Sequence, residues 1–503
     1  MLLALVVFAL TSWLLFFRYK RRRMYELASQ IPGPNHYPLL GIAHKFAGNS
    51  EDAMTTMKEF SYFAMKNNGI AKIWLGPLLF FVMVNPTDLD VILKSFLEKD
   101  DIHRYVRDFI GYGTGFAPVS VWRRRRKIML PAFAPRIVDN FVRVFSKQSQ
   151  KLAKLLDRRN GTGKFSLWSA VSTYTLDSVF ENVTGIQLNS QDNPETRLLK
   201  LLAQGLQLIC ARMMHIWLMP DWLFKFFPMH KEYHQCIKDV HEVADEIVRN
   251  KRNEIESRTD VKVHDVNGIE LYKKQTFLEL LLNFSGGDKG YSNEELREEV
   301  LSLCIAGTDT SAASIAYTLK LMGMYPQIQD KVYNELHLVF GDSDRRLVKE
   351  DLIKLQYLEC VVKESLRLFP PAPFIIRKVT EEIALPSGVV LPAGSGVMVS
   401  IWGVHRDPKY WGDDVEEFNP DRFLPEHFKL SNTCSYMPFS SGPRNCIGYQ
   451  YALMSVKSAL ANILRRHKVV GVAGGSSSPN IRVKLEIMMK SVDDYEAALE
   501  RRN

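Results

Sequence analysis

The stretch Phe439-Ser-Ser-Gly442-Pro-Arg444-Asn-Cys446-Ile-Gly448 sets one cysteine in a glycine-bounded loop, two residues after an arginine. The segment that follows, YQYALMSVKSALANILRRH, has helix-forming composition with apolar residues near a 3.6 period. Cys446 therefore stands close to a helix N-terminus, where unpaired N–H groups favour an anion. Arg444 adds positive charge. Both effects lower a thiol pKa, so the loop reads as one built to hold a thiolate. Several thiolate chemistries compete for it. A phosphatase-type C-x5-R loop needs arginine at 452, where Ala452 stands. A protease-type cysteine needs a partner histidine that the sequence does not locate. Zinc needs three or four ligands, and no Cys/His cluster surrounds 446.

A single thiolate ligand to a haem iron remains, whose electron push favours O–O cleavage. That chemistry asks for an oxygen site. Ser292 to Glu295 reads as a capping box opening a long apolar helix that runs to about Gly323, near Pro326. In its middle stands Ala306-Gly307-Thr308-Asp309-Thr310-Ser311. Glycine costs about 1 kcal/mol there, and the hydroxyls compete for backbone hydrogen bonds. A helix that accepts such a segment is expected to use it, as a widened groove. Asp309 and Thr310 then supply a carboxylate and a hydroxyl to carry protons. Glu364 and Arg367 share a helix face among apolar neighbours, with Arg422 as a candidate third member. Trp122 and Arg126, four apart on one helix, with Arg377 and Arg444, are candidates for binding carboxylates.

These residues need elements to position them. The 503 residues show no linker-like division, and 46% hydrophobic content suffices for a large core. The reading is a mainly helical body with a minor β part, one large domain spanning 35–503. Ahead of it, residues 1–17 carry no charge, and Arg18, Lys20, Arg21, Arg22 and Arg23 follow at once. That order suits a signal-anchor helix with the body in the cytosol, and 18–34 then form a basic stop and proline hinge. Much of the +9 net charge lies there and in the run Arg123 to Lys127. Beside an anchor, such runs suit acidic lipid or an acidic partner rather than nucleic acid. Six cysteines without paired spacing fit a reducing compartment. Sequons at Asn160, Asn182 and Asn283 are then expected to stay unmodified.

Along the chain, 51–67 reads as a helix and AKIWLGPLLFFVMV as two strands around a Gly-Pro turn. Helices dominate from about 120 to 360, with loops near 158–163, 190–194 and 285–291. Short strands return at 374–402 and 468–490, the latter broken by GGSSSP. Residues 206–230, rich in Trp, Phe, Met and Leu, read either as core or as an apolar lid and membrane contact. His230 and His234 read as a solvated face, since no H-E-x-x-H motif surrounds them.

Taken together, the set resembles the cytochrome P450 superfamily: F-x-x-G-x-R-x-C-x-G at 439–448, A-G-x-D-T-[ST] at 306–311, E-x-x-R at 364–367 and W-x-x-x-R at 122–126. The resemblance covers nearly the whole chain from the Pro32-Gly33-Pro34 turn. It implies the α-rich prism with a small β lobe, with Cys446 as axial ligand of haem b. It further implies Thr310 and Asp309 in oxygen activation, and Glu364, Arg367 and Arg422 as a structural triad. Trp122, Arg126, Arg377 and Arg444 fall at propionate-binding positions. The implied reaction inserts one atom of O2 into a hydrophobic substrate, fatty-acid-like, lipid-derived or xenobiotic. Electrons come from NADPH-cytochrome P450 reductase at the endoplasmic reticulum membrane, with cytochrome b5 as an additional donor.

FSSGPRNCIG and HRDPKYW (405–411) resemble the fatty-acid omega-hydroxylase branch and its insect relatives. Many of its members carry a haem-esterifying glutamate where Ala306 stands here, which implies non-covalent haem, and Arg125 stands where histidine is usual. Two other readings stay open at this level: a haem-thiolate isomerase or dehydratase, and a membrane haem or lipid binder without turnover.

Overall fold

The axis of the fold is the helix Asn293–Met324, 32 residues or ~48 Å long at ~1.5 Å per residue. The Ser292 side chain caps the Glu295 N–H and Glu295 returns to the Ser292 N–H, so both ends of the box are closed. Its widest packing is against Trp168–Thr184, a helix buried on nearly every side. Gly307 permits that approach, since a Cβ there would lie 2.6 Å from Val179 Cγ2. Helices Met229–Ser257, Gln356–Leu368 and Tyr449–Arg466 pack round the same axis, and Pro135–Leu156 lies on the last of them. The computed structural model describes residues 2–257, 276–283, 291–430, 432–471 and 478–502. The expected loop near 285–291 and the GGSSSP break fall largely outside the described residues.

The β part is small. Strands β1 (Ile70–Leu75) and β2 (Leu78–Met83) form the expected antiparallel hairpin. β2 then runs parallel to Gly396–Ser400, which pairs antiparallel with Phe374–Lys378. A separate C-terminal hairpin joins Val483–Glu486 to Met488–Ser491. It turns on Ile487 at φ 65°, a left-handed conformation that costs roughly 1–2 kcal/mol for a residue with a Cβ. Buried Leu485 and Met489 hold the turn in place.

At the N-terminus, α1 (Leu2–Lys20) presents Leu5, Phe8, Trp13, Leu15 and Phe16 outward. Among the described residues no helix is long and apolar enough to cross a membrane. The next helix, α2 (Arg22–Ser29), buries Met24, Leu27 and Ala28 against the body. Pro32 O accepts the Lys72 N–H at 2.8 Å, and Lys72 Nζ reaches Ala28 O at 2.7 Å, so the proline turn is stitched to β1. Residues 206–230 divide between the two readings. Leu206, Ile209 and Met213 are core, whereas Trp222 and Phe226 are 70% and 80% exposed.

Candidate active site

Cys446 sits in a loop closed on itself, its N–H donating to Phe439 O at 2.9 Å. Gly442 makes the turn at φ 75°, and a Cβ there would press on Leu93 O at 2.6 Å. The helix begins at Tyr449, as the sequence pattern requires. The thiol opens into an internal cavity of about 250 Å³, with Ala306, Gly307 and Thr310 of the central helix among its other walls. Val179, Val183, Leu303 and Leu366 make the lining strongly apolar. Cys446 thus exposes its surface to a cavity deep within the protein rather than to bulk water. Burial pushes its pKa up, while a backbone N–H at Gly448 and the Arg126 guanidinium pull the other way. The expectation of a thiol already acidified by its neighbours is therefore corrected. A thiol so placed loses its proton to a coordinating cation.

The arginines also differ from expectation. Arg444 does not serve the sulfur: it donates to Leu97 O at 2.9 Å and to Ala117 O, and lies 4.7 Å from the Trp122 ring centroid. Arg126 is the cation that acts on Cys446, and it donates to Asn445 O (3.1 Å) and Asn445 Oδ1 (2.8 Å). Arg377 is 1% exposed, and among the described residues its side chain makes one hydrogen bond, a 3.5 Å contact to Ile376 O. Its Nε has no partner. Burial and the nearby Arg444 push its pKa down to about 10. Ile375, on the same face of the strand two residues earlier, lines the cavity.

Lys99 joins this group through a backbone bridge to Arg377, and burial beside the two arginines drives its pKa far down. Among the described residues no carboxylate is hydrogen-bonded to Lys99, Arg377 or Arg444. Glu98 offsets part of the charge of Arg444, which leaves Lys99 and Arg377, among the described residues, as buried cations without a neighbouring carboxylate, a costly arrangement. The site therefore fits a group with an apolar body, anionic edge groups and a metal that a thiolate binds.

The central helix runs unbroken through Ala306–Ser311, so the expected widened groove is not formed. Instead Thr310 Oγ1 donates to Ala306 O at 2.5 Å, with Ser314 and Thr318 bonding back one turn in the same way. Thr310 lines the cavity and Asp309 does not. The Asp309 carboxylate turns outward, with Oδ1 3.1 Å from Lys490 Nζ and Oδ2 unpartnered. Burial raises its pKa against the pull of Lys490.

Glu364 and Arg367 form a two-pronged pair at 2.6 and 2.8 Å, both wholly buried. Arg367 also donates to His405 O, Val415 O and Glu417 O. Arg422 stands 3.7 Å from Glu364 and binds Trp411 O and Asp414 O.

The basic run 123–127 wraps round its helix. Arg123, Arg124 and Lys127 face out, while Arg125 is buried on Glu298 (2.6 Å), Glu299 (3.3 Å) and Tyr112 O (2.6 Å). Glu299 also accepts from Thr114 N and Oγ1, and burial pushes it up to about 7. Lys99, Glu299 and Lys490 escaped sequence reasoning. Gly111-Tyr-Gly-Thr-Gly115 was the available signal for the loop on Glu298 and Glu299; a Cβ at Gly113 would meet Glu298 O at 2.7 Å.

The sequence family described as "Cytochrome P450" matches residues 31–493. The chain belongs to the cytochrome P450 family and is a haem monooxygenase. "Cytochrome P450 4c3" of Drosophila melanogaster is 32% identical over 481 residues, covering 93% of this chain and 90% of its own. "Cytochrome P450 4V2" of Homo sapiens is 31% identical over 473 residues (93% and 89%), and "Cytochrome P450 4d1" of Drosophila melanogaster 30% over 503 (97% and 96%). They are of the branch that the Cys446 loop and HRDPKYW resemble. Haem with a cysteine thiolate as axial ligand, O2, a redox partner and a hydrophobic substrate come with the family.

Proposed function

We propose that Cys446 is the axial ligand and that the cavity beside it oxidises a fatty-acid-like, lipid-derived or xenobiotic substrate. One observation carries the reading: the Cys446 thiol opens into an apolar cavity beside the strand Phe374–Lys378, on which the buried Arg377 Nε has no hydrogen-bond partner. Haem bound there supplies reductive activation of O2. Arg377, Arg444, Arg126 and Trp122, with Lys99, hold its anionic edge. Val179, Val183 and Leu303 exclude water and orient the substrate. The Thr310 hydroxyl, anchored on Ala306 O, presents a hydrogen-bonding group at the cavity wall, and the Asp309 carboxyl stands one residue away, turned towards Lys490. Ala306 offers only a methyl, so the haem is non-covalent and leaves on acid-acetone extraction.

Membrane anchoring through α1 is supported by its outward apolar side chains ahead of Arg18 to Arg23, and by exposed Leu39, Trp222 and Phe226. Ile216 and Leu39 meet beside Gly76, which puts these segments on one side of the body. The endoplasmic reticulum suits this arrangement. Exposed Arg123 and Lys127, on the helix that Arg126 joins to the Cys446 loop, suit docking of an acidic NADPH-cytochrome P450 reductase or cytochrome b5.

The test is a reduced carbon-monoxide difference spectrum of wild type beside Cys446→Ser. The long-wavelength Soret band of a thiolate-ligated haem is expected in wild type alone. Its absence from folded, haem-loaded wild type would refute the assignment.

A further inference from the structure

A second cavity, of about 160 Å³, lies against the one at Cys446, and Ala372 and Ile375 line both. Its walls are apolar, among them Phe80, Phe116, Met213, Met398 and Ile487 at the tip of the C-terminal hairpin. It shares Phe46, Cys210, Met214 and Leu485 with an open recess bounded by Asn49, Ser50 and Gln207, its side towards solvent. Among the described residues its polar side chains are Lys99, Cys210 and His103. Lys99, whose backbone bridges to Arg377, is assigned above to the anionic edge of the haem. Cys210 donates to Leu485 O at 3.4 Å. His103 remains.

His103 closes the short helix Asp101–His103. Its Nδ1 stands 3.0 Å from Asp100 O, which can only accept, so Nδ1 carries the hydrogen. Phe116 packs on the ring with centroids 5.4 Å apart. Burial drives the imidazole pKa far down; Lys99, Arg377 and Arg107 push the same way, against the pull of Asp100 O. The ring is therefore neutral and 7% exposed, and Nε2 is an acceptor without a partner among the described residues. An apolar pocket with few polar groups fixes its ligand by those groups. A hydroxyl donates to Nε2, whereas an ionised carboxylate or an ether sets lone pair against lone pair.

We propose that His103 determines specificity, and that the substrate is a long-chain molecule with a hydroxyl at the end remote from the oxidised carbon. This rests on the monooxygenase reading above and narrows its lipid-derived substrates to lipid alcohols. The hydroxyl is held at Nε2 while the chain fills the second cavity and passes Ile375 towards the first.

The test is equilibrium dialysis of the haem-loaded protein against decan-1-ol, its methyl ether and ionised decanoate. Wild type should bind the alcohol about tenfold more tightly than the ether, the worth of one buried hydrogen bond, and more tightly than decanoate. His103→Phe keeps an aromatic ring against Phe116 but no acceptor, and should bind alcohol and ether alike. His103→Gln restores an acceptor and should recover the preference. The carbon-monoxide spectrum of each variant should match wild type, so a wrong haem assignment and a wrong role for His103 give different results. Equal affinity of wild type for the three probes, or none for any, overturns the proposal. So does tightest binding of decanoate, which would make the cavity a carboxylate site served by Lys99. Should His103→Phe fail to hold haem, His103→Leu carries the same comparison: a lost preference supports the proposal, and a retained one overturns it.

Discussion

Arg367 and Arg377 are ten residues apart and equally deep, at 0% and 1% exposure. Their surroundings are opposite. Arg367 is saturated by two bonds to Glu364 and three to backbone carbonyls. Arg377 has one marginal bond and an orphaned Nε, with Lys99 and Arg444 as like-charged neighbours. The first is closed, so its worth lies in holding the helix Gln356–Leu368 to the loop 405–419. The second is open, and its charge is answered only when an anion arrives. Arg125 lies between the two: paired, but with two buried carboxylates against one guanidinium.

The comparison can be broken at each of these points. Arg367→Met should cost about 3–5 kcal/mol, because it leaves the buried Glu364 charge with only the more distant Arg422 and the Asn419 N–H; denaturant unfolding measures it. A loss below 1 kcal/mol would mean that the pair is not structural. Glu299→Gln tests the intermediate case. Because burial raises Glu299 from 4.5 to about 7 in the fold, its contribution to stability is complete below pH 4.5 and is lost as pH rises through 7. Wild type should lose up to about 3 kcal/mol over that window from this group, and the glutamine variant should not. Thermal melts across the window decide, and parallel profiles would sink the assignment.

The smallest effect is expected at Arg377→Met. The apoprotein should unfold no more easily than wild type, while haem affinity falls about tenfold, or ~1.4 kcal/mol. An apoprotein as damaged as Arg367→Met would erase the distinction between the two arginines.

What the sequence disclosed was what local spacing encodes. The glycine-bounded Cys446 loop leading into a helix, the Ser292–Glu295 box and the Glu364–Arg367 pair each lie within ten residues, and the structure forms each of them. The β1–β2 hairpin was legible for the same reason. The cation cluster was not, because Lys99 reaches Arg377 through a bridge between distant segments. The outward turn of Asp309 depends on where a hairpin near residue 490 comes to rest, which no local pattern contains. Arg444 was assigned to the sulfur from sequence proximity, whereas its rotamer is set by the carbonyls of Leu97 and Ala117. The acidity of Cys446 was misjudged because dipole and charge are local and desolvation is a property of the whole fold.

One detail of the cavity reaches beyond catalysis. Asn182 heads an Asn-Val-Thr sequon, yet it is 4% exposed, lines the cavity and donates to Tyr451 OH at 3.4 Å. An oligosaccharide is attached to an unfolded chain as it enters the secretory lumen, and no sugar fits where Asn182 must finally go. A copy exposed to that lumen before folding would be tagged at that position and left unable to close around its own interior. Glycosylation at Asn182 and the native fold therefore exclude one another.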